Sequence, residues 1–180
     1  MRRTISRSAG VLPAAFAALI LIQAAPGFGA QGPVPIGRTA AIGAHWQLQV
    51  LWRKAGARKR VPGLGTLPPA VVEHDLVRVK LTYLGPGRAQ VLPVIENLET
   101  VGKRHQIYGA DGGCNPPSGT DFPRNGYGTV RAGRSADGTL CFVIDARDSR
   151  SLELYALSPA NTSYPPTYPP PATAVWFALR

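Results

Sequence analysis

The chain has 180 residues, of which 44% are hydrophobic and 17% are charged, and its net charge at neutral pH is +10. This length is typical of one domain with a sizeable core, so a multidomain protein is not expected. Glycine and proline contribute 20 and 18 residues. That share is below the level of low-complexity chains, and we expect a folded domain with many turns.

Residues 1–29 have the order of a secretory signal peptide. Three arginines within the first seven residues precede an apolar stretch, and Gly27 and Gly29 then provide small residues for cleavage. The stretch is shorter than the roughly 20 residues that cross a bilayer. A bacterial lipid anchor is not expected, because the predicted cleavage region has no cysteine. The sequence predicts a secreted, extracellular protein without a transmembrane segment. Cleavage after Ala25 or Ala30 also stays open.

The next predicted elements are a flexible leader at 30–43 and a half-buried strand. The leader is rich in glycine, proline and alanine without periodicity. In the strand, Trp46 and Trp52 share one face with the aliphatic residues between them, and two glutamines share the other face. We therefore place the folded domain at 44–180 and expect both tryptophans in its core.

The rest of the chain reads as short strands separated by turns. The clearest alternation of apolar and polar residues runs over 76–84. Further strands are predicted at 90–92, 97–101, 104–108, 129–131, 139–145, 151–157 and 174–179. We expect a hairpin around Gly102 and Lys103 and a turn at 136–138. Because the strand at 139–145 is apolar on both faces, it is predicted to be central and covered. This pattern predicts an all-β sandwich.

The order of these elements resembles a family of small secreted immunoglobulin-like proteins of actinobacteria, described as telokin-like or immunoprotective extracellular proteins of unknown function. The resemblance rests on the strands at 46–50 and 76–84 with its Gly-Pro-Gly turn, the unit at 97–108, the segment at 131–144 and the strand at 175–179. It implies an immunoglobulin-like antiparallel β-sandwich, export and no established enzymatic activity. The long loop at 109–128 and the Pro-rich tract at 164–171 depart from the family pattern.

Cys114 and Cys141 are the two cysteines of the chain. An even number of cysteines in an exported protein predicts pairing, because the compartment is oxidising. A bridge that closes a loop of this length contributes roughly 3–4 kcal/mol in the chain-entropy description. Two free buried thiols are the alternative. We expect one disulfide, Cys114–Cys141.

The sequence has no recognisable catalytic or metal-binding pattern. His45, His74 and His105 are scattered and lack the spacing of a zinc site. The Gly-X-Ser-X-Gly pattern of serine hydrolases is also absent. We therefore expect no cofactor, no metal and a non-enzymatic binding or structural module. The alternative is a secreted enzyme or enzyme accessory whose site is assembled from residues distant in sequence.

A basic run follows the first strand and is the strongest local hint of a partner. Five of its eight residues are cationic with no acid between them, namely Arg53, Lys54, Arg58, Lys59 and Arg60. Loss of the three signal arginines still leaves a net charge of +7. The run is either a solvated loop or a footprint for an anionic cell-envelope or extracellular polymer. Nucleic acid fits an exported chain less well, and no oligomeric state is indicated.

The Pro-rich tract at 164–171 is the second feature that could meet a partner. Its prolines cannot donate ladder hydrogen bonds and favour an extended, preformed conformation. Such a segment loses little entropy when another protein binds it. The alternative is a stiff connection between two strands.

Overall fold

The computed structural model describes residues 32–57, 72–110, 128–160 and 168–180. The regular elements of these residues are almost all strands. They are β1 Thr39–Ile42, β2 Trp46–Lys54, β3 Val72–Tyr83, β4 Arg88–Gln90, α1 Leu92–Ile95, β5 Leu98–Val101, β6 Ile107–Gly109, β7 Thr129–Arg131, β8 Ser135–Asp145, a 3₁₀ turn Ser149–Ser151, β9 Glu153–Ala156 and β10 Val175–Ala178.

The strands form two antiparallel four-stranded sheets and a short ribbon. The first sheet has the order β1-β2-β3-β8, the second has the order β10-β9-β5-β6, and β4 pairs with β7 in the ribbon. One hydrophobic core joins residues of both sheets, and its fully buried members include Leu48, Val50, Val79, Leu81, Phe142, Leu154, Ala156 and Phe177. The prediction of an all-β antiparallel sandwich is confirmed.

The predicted strand at 76–84 corresponds to the second part of β3, which ends at Tyr83 and is the longest strand of the described residues. Val77, Val79 and Leu81 are completely buried, and Lys80 on the opposite face is exposed. This period-2 burial is what the sequence pattern predicts. At its first half β3 is covered on both faces, because Leu76 packs with Ala57 in a second, smaller cluster.

β8 differs from its prediction in two respects. It begins at Ser135, so the turn predicted at 136–138 is wrong, and the chain reverses instead around Gly133, whose φ is 72°. The eleven register pairs with β3 outweigh the local turn preference of Asp-Gly. β8 is also the last strand of its sheet among the described residues rather than a central one. It is nevertheless buried on both faces, since Cys141 and Phe142 are both covered.

The predicted leader at 30–43 is partly ordered. Thr39–Ile42 form β1, which pairs with β2. Val34 forms a bridge with Phe177, through Val34 N–H to Trp176 O at 2.8 Å and Ala178 N–H to Val34 O at 2.9 Å. The prediction of an unpaired leader is therefore wrong for these residues, because their backbone groups find partners in both sheets.

A β-bulge in β2 separates its two tryptophans. Val50 pairs with Val79, but Trp52 pairs with Arg78, so β2 contains one extra residue at this point. An extra residue reverses the facing of every residue beyond it. Trp46 is buried as predicted, whereas Trp52 is 38% exposed and the prediction of a core position for it is wrong. The side chain of Arg53, the next residue, points into the fold instead.

The signal peptide predicted at 1–29 and Cys114 lie outside the described residues. Cys141 is buried in β8, and its pairing with Cys114 stays a prediction. Among the residues that the structure describes, no helix has the length and apolar character needed to cross a membrane.

Candidate functional site

Two chain connections meet at one end of the sandwich, which we call the loop end. They are the β5–β6 connection, residues 102–106, and the β8–β9 connection, residues 146–152. The N–H of Lys103 donates to Ser151 Oγ at 3.0 Å, and the N–H of Arg104 donates to Asp148 Oδ1 at 3.3 Å. These bonds fix two segments that are far apart in sequence against each other.

Asp148 is the central residue of this contact and is completely buried. Its Oδ2 accepts a hydrogen bond from Tyr108 Oη at 2.8 Å. Burial, together with the hydrogen bond to Asp148, raises the pKa of Tyr108 to about 12. A Cβ at Gly102 would lie 2.3 Å from the Cβ of Asp148, which is closer than real contacts allow. The position therefore requires glycine, because any side chain would push the two connections apart.

Arg53 supports the same end from inside the sandwich. Its Nε and Nη2 donate to Asp75 Oδ2, the Nε at 2.9 Å. Its Nη2 also donates to the carbonyl oxygen of Ser149 at 2.6 Å, and its Nη1 donates to Leu179 O at 3.3 Å. One guanidinium thereby connects β2, β3, the 3₁₀ turn and the residue that follows β10.

Asp75 has no exposed side-chain surface, and Arg53 has 8%. The N–H of Gly56 donates to the second carboxylate oxygen of Asp75 at 3.0 Å. Burial raises the pKa of Asp75 above its ordinary value, although Arg53 acts in the opposite direction. The positive charge of Arg53 is thus balanced inside the fold. Arg53 does not belong to a solvent-facing basic run, because the bulge in β2 turns it inward.

Four exposed cations surround the meeting point of the two connections, namely Lys103, Arg104, Arg147 and Arg150. Asp145 accepts hydrogen bonds from two of them, Arg147 through Nε at 2.9 Å and Arg104 through Nη1 at 2.5 Å. These contacts, of which the Arg147 hydrogen bond is the largest cause, hold the pKa of Asp145 well below its usual range. Lys103 and Arg150 form no ion pair with described residues. The loop end therefore keeps a positive surface.

An aromatic contact brings Tyr168 of the Pro-rich tract to this surface. The rings of His105 and Tyr168 stack with centroids 4.3 Å apart and an interplanar angle of 13°. Tyr168 is still 44% exposed. The loop end therefore offers an accessible aromatic face beside its cations. Residues 164–167 of the tract lie outside the described residues.

The basic run of the sequence is divided by the structure. Lys54 ends β2 and is partly exposed, and Val72 at the start of β3 pairs with Asp145 at the loop end. Arg58, Lys59 and Arg60 lie outside the described residues, and their role stays a prediction. The four cations of the loop end were not predicted from the sequence. The sequence pattern that could have revealed them is a pair of connections that each contain two Lys or Arg residues, Gly-Lys-Arg-His at 102–105 and Asp-Ala-Arg-Asp-Ser-Arg at 145–150.

The buried carboxyl groups are engaged within the fold. They form three side-chain pairs, Asp75 with Arg53, Asp148 with Tyr108 and Glu99 with Tyr155. Burial raises the pKa of Glu99. In the described part of the chain, no group of three His, Cys, Asp or Glu residues could hold a metal ion. The exposed cations of the loop end can attract an anion and donate hydrogen bonds to it.

Comparisons with known proteins give likenesses of fold. No family model matches the chain, and no curated protein matches it. The yjhA protein from Bacillus subtilis is similar with a TM-score of 0.50 at 16% identity, covering 80% of this chain and 96% of that one. A functionally unknown protein from Listeria monocytogenes has a TM-score of 0.50 at 11% identity, covering 71% and 74%.

A third similar structure is the secreted protein MPT63 from Mycobacterium tuberculosis. Its TM-score is 0.48 at 10% identity, covering 71% of this chain and 91% of that one. This value is too low to carry an argument about the chain. The two likenesses at 0.50 show a shared fold alone, and the family resemblance noted in the sequence stays a prediction.

Proposed function

We propose that the mature chain is an exported, non-enzymatic module of immunoglobulin-like class whose loop end binds an anionic polymer or surface outside the cytoplasm. The observation that carries the proposal is the charge balance of that end. Four exposed cations converge there, and Asp145 is the carboxylate that pairs with two of them. Asp75 and Asp148 are buried beneath and face inward. Export is supported by the signal pattern at 1–29.

The fixed geometry of the loop end favours binding. Asp148 and Ser151 hold the two connections together, and Arg53 attaches the β8–β9 connection to the sheets. The backbone that carries the cations therefore does not have to be ordered when a ligand arrives. Pre-organisation of this kind reduces the entropy that association costs. Arginine has five donors, so Arg104 and Arg147 keep donors free for a ligand while they bind Asp145. Attraction between exposed charges is screened over about 8 Å at physiological salt, so binding should be sensitive to salt.

The test is a pair of double variants with the same change in charge. Lys103→Gln with Arg150→Gln removes two loop-end cations that form no described ion pair. Arg38→Gln with Lys80→Gln removes two exposed cations elsewhere. Binding to heparin and to vesicles containing phosphatidylglycerol is measured over a salt series. We expect the loop-end variant to bind at least about tenfold more weakly than the control, which corresponds to about 1.4 kcal/mol.

Equal binding by the two double variants would contradict the proposal, because net charge alone would then explain the affinity. A third variant, with Arg58, Lys59 and Arg60 changed to Ser, tests the basic run separately. We expect it to weaken binding as well, since three adjacent cations in the sequence attract an anionic polymer.

A further inference from the structure

A second cluster of cations lies at the opposite end of β8, and we call it the arginine corner. It consists of Arg88 in β4, Arg131 in β7 and Arg134 just before β8. All three are exposed. β8 has eleven residues, so the arginine corner and the loop end are separated by roughly 35 Å. The arginine corner is thus independent of the loop end and of the function proposed for it.

Strand pairing forces two of these arginines together. Arg88 and Arg131 are directly opposite each other in the β4–β7 ribbon. The neighbouring bonds, Ala132 N–H to Gly87 O and Val91 N–H to Gly128 O, place the arginine pair at a non-hydrogen-bonded position. Side chains are closest there, with Cα atoms about 4.5 Å apart. Like charges in this arrangement repel each other.

Arg134 joins the pair through the turn that follows. Its N–H donates to the carbonyl oxygen of Arg131 at 3.0 Å, which closes a β-turn and keeps the two Cα atoms within about 7 Å. The N–H of Gly133 and the carbonyl oxygen of Arg134 are bonded to the backbone of Tyr83. The turn is therefore attached to the end of β3. The backbone position of Arg134, from which its side chain extends, is fixed.

No described residue forms a side-chain contact that uses these three charges. None of the ion pairs among the described residues includes an arginine of the corner, and their side chains form no hydrogen bond to a described residue. Beside them lies an open groove of about 540 Å³, lined among others by Val91, Thr129 and Asp137. Asp137 forms no ion pair with an arginine of the corner, and its carboxylate accepts hydrogen bonds from Arg78.

From this geometry we propose that the arginine corner binds the phosphate groups of an extended phosphodiester polymer, which continues along the groove. Arginine forms paired, parallel hydrogen bonds to phosphate oxygens, and all three cations are arginines. Arg88 and Arg131 start close enough to share one phosphate, and Arg134 can take the next. The open groove and the hydroxyl of Thr129 fit a polar, hydroxylated backbone rather than an enclosed small molecule.

The direct test uses synthetic poly(glycerol phosphate) and the mature chain. We expect Arg88→Gln with Arg131→Gln to weaken binding at least tenfold without lowering the melting temperature, since the substitution removes a repulsion. The slope of log K against log salt should fall by about 0.7 for each phosphate that the variant no longer neutralises. Arg38→Gln with Lys80→Gln removes two exposed cations outside the corner and the loop end; it is the matched control and should stay within about twofold of the wild type.

Two further arms test the ligand class. Polyglutamate of equal charge should bind at least tenfold more weakly than poly(glycerol phosphate), and Arg88→Lys with Arg131→Lys should lose at least threefold because lysine lacks the planar fork. The proposal is overturned if the Gln variant binds as well as the wild type. It is also overturned if polyglutamate binds as tightly as poly(glycerol phosphate), or if the Lys variant binds as tightly as the wild type. Tighter, corner-dependent binding to phosphatidylglycerol vesicles would instead assign the corner to a lipid surface.

Discussion

The two ends of β8 carry similar numbers of exposed cations but treat the charge differently. At the loop end, Arg104 and Arg147 share Asp145, and buried groups hold the connections in place. At the arginine corner, Arg88 and Arg131 oppose each other without a described carboxylate partner. The comparison teaches that a count of basic residues does not identify a binding surface. What matters is whether the fold already uses each charge.

The loop end depends on a buried ion pair that the arginine corner lacks, and its removal should give the largest effect. Arg53→Leu leaves Asp75 buried without its cation and leaves Ser149 O without a donor. Breaking such a pair costs roughly 3–5 kcal/mol, so thermal denaturation should show a melting temperature lower by about 10 °C or more. The matched control is Arg78→Leu, whose partner Asp137 is half-exposed, and its cost should stay below about 1 kcal/mol. Equal losses would mean that the Arg53 network does not support the fold.

The second prediction concerns the close approach of the two connections at the loop end. Gly102→Ala places a Cβ against the Cβ of Asp148, and overpacking of this kind costs about 1–3 kcal/mol. Gly109→Ala is the matched control, because nothing lies within 4 Å of its added Cβ. Urea denaturation of both variants measures the difference. Similar midpoints would show that the loop end can shift to accept a methyl group, and its pre-organisation would then be refuted.

The sequence carries only part of this information. The alternation over 76–84 predicts β3, because the polarity of each residue indicates whether its side chain faces the core or the solvent. The structure confirms this strand. The bulge in β2 has no local signal, since an extra residue is defined by the pairing with β3. Trp52 and Arg53 were therefore assigned to the wrong sides. Gly102 shows the same limit, because its requirement for glycine arises from contact with Asp148.

The candidate surfaces were hidden for a related reason. Arg53 and Lys54 are adjacent in sequence and looked like one basic run, yet one is inside and the other is partly exposed. Arg88 and Arg131 are far apart in sequence and meet only through the register of β4 and β7. The strand topology brings such residues together, and their proximity cannot be predicted from their spacing in a single sequence.

The third prediction is a pH dependence that belongs to the loop end. Tyr108→Phe removes a donor from the buried carboxylate of Asp148, at a cost of about 1–2 kcal/mol at neutral pH. The folded pKa of Tyr108, about 12, lies above the ordinary value of 10. The folded state therefore binds more protons in this window, and wild-type stability should fall as the pH rises from 10 to 12. Urea titrations should show a smaller fall for Tyr108→Phe. An equal fall in both proteins would contradict the assigned pKa.

The smallest expected effect is also the sharpest test of the difference between the two ends, because it is a difference of sign. Arg88→Gln removes one of two opposed like charges, and cross-strand repulsion is worth roughly 0.2–1 kcal/mol, so the melting temperature should rise slightly. Arg147→Gln removes a cation that binds both oxygens of Asp145, so the melting temperature should fall slightly. Both substitutions replace an exposed arginine by the same residue and change the net charge equally, so a general charge effect would move both proteins in one direction. Differential scanning calorimetry at low salt measures both shifts, and added salt should reduce each toward zero because exposed charges are screened. If the two variants shift together, the arginine corner is no less compensated than the loop end, and the distinction between a charge used by the fold and a charge left for a ligand does not hold here.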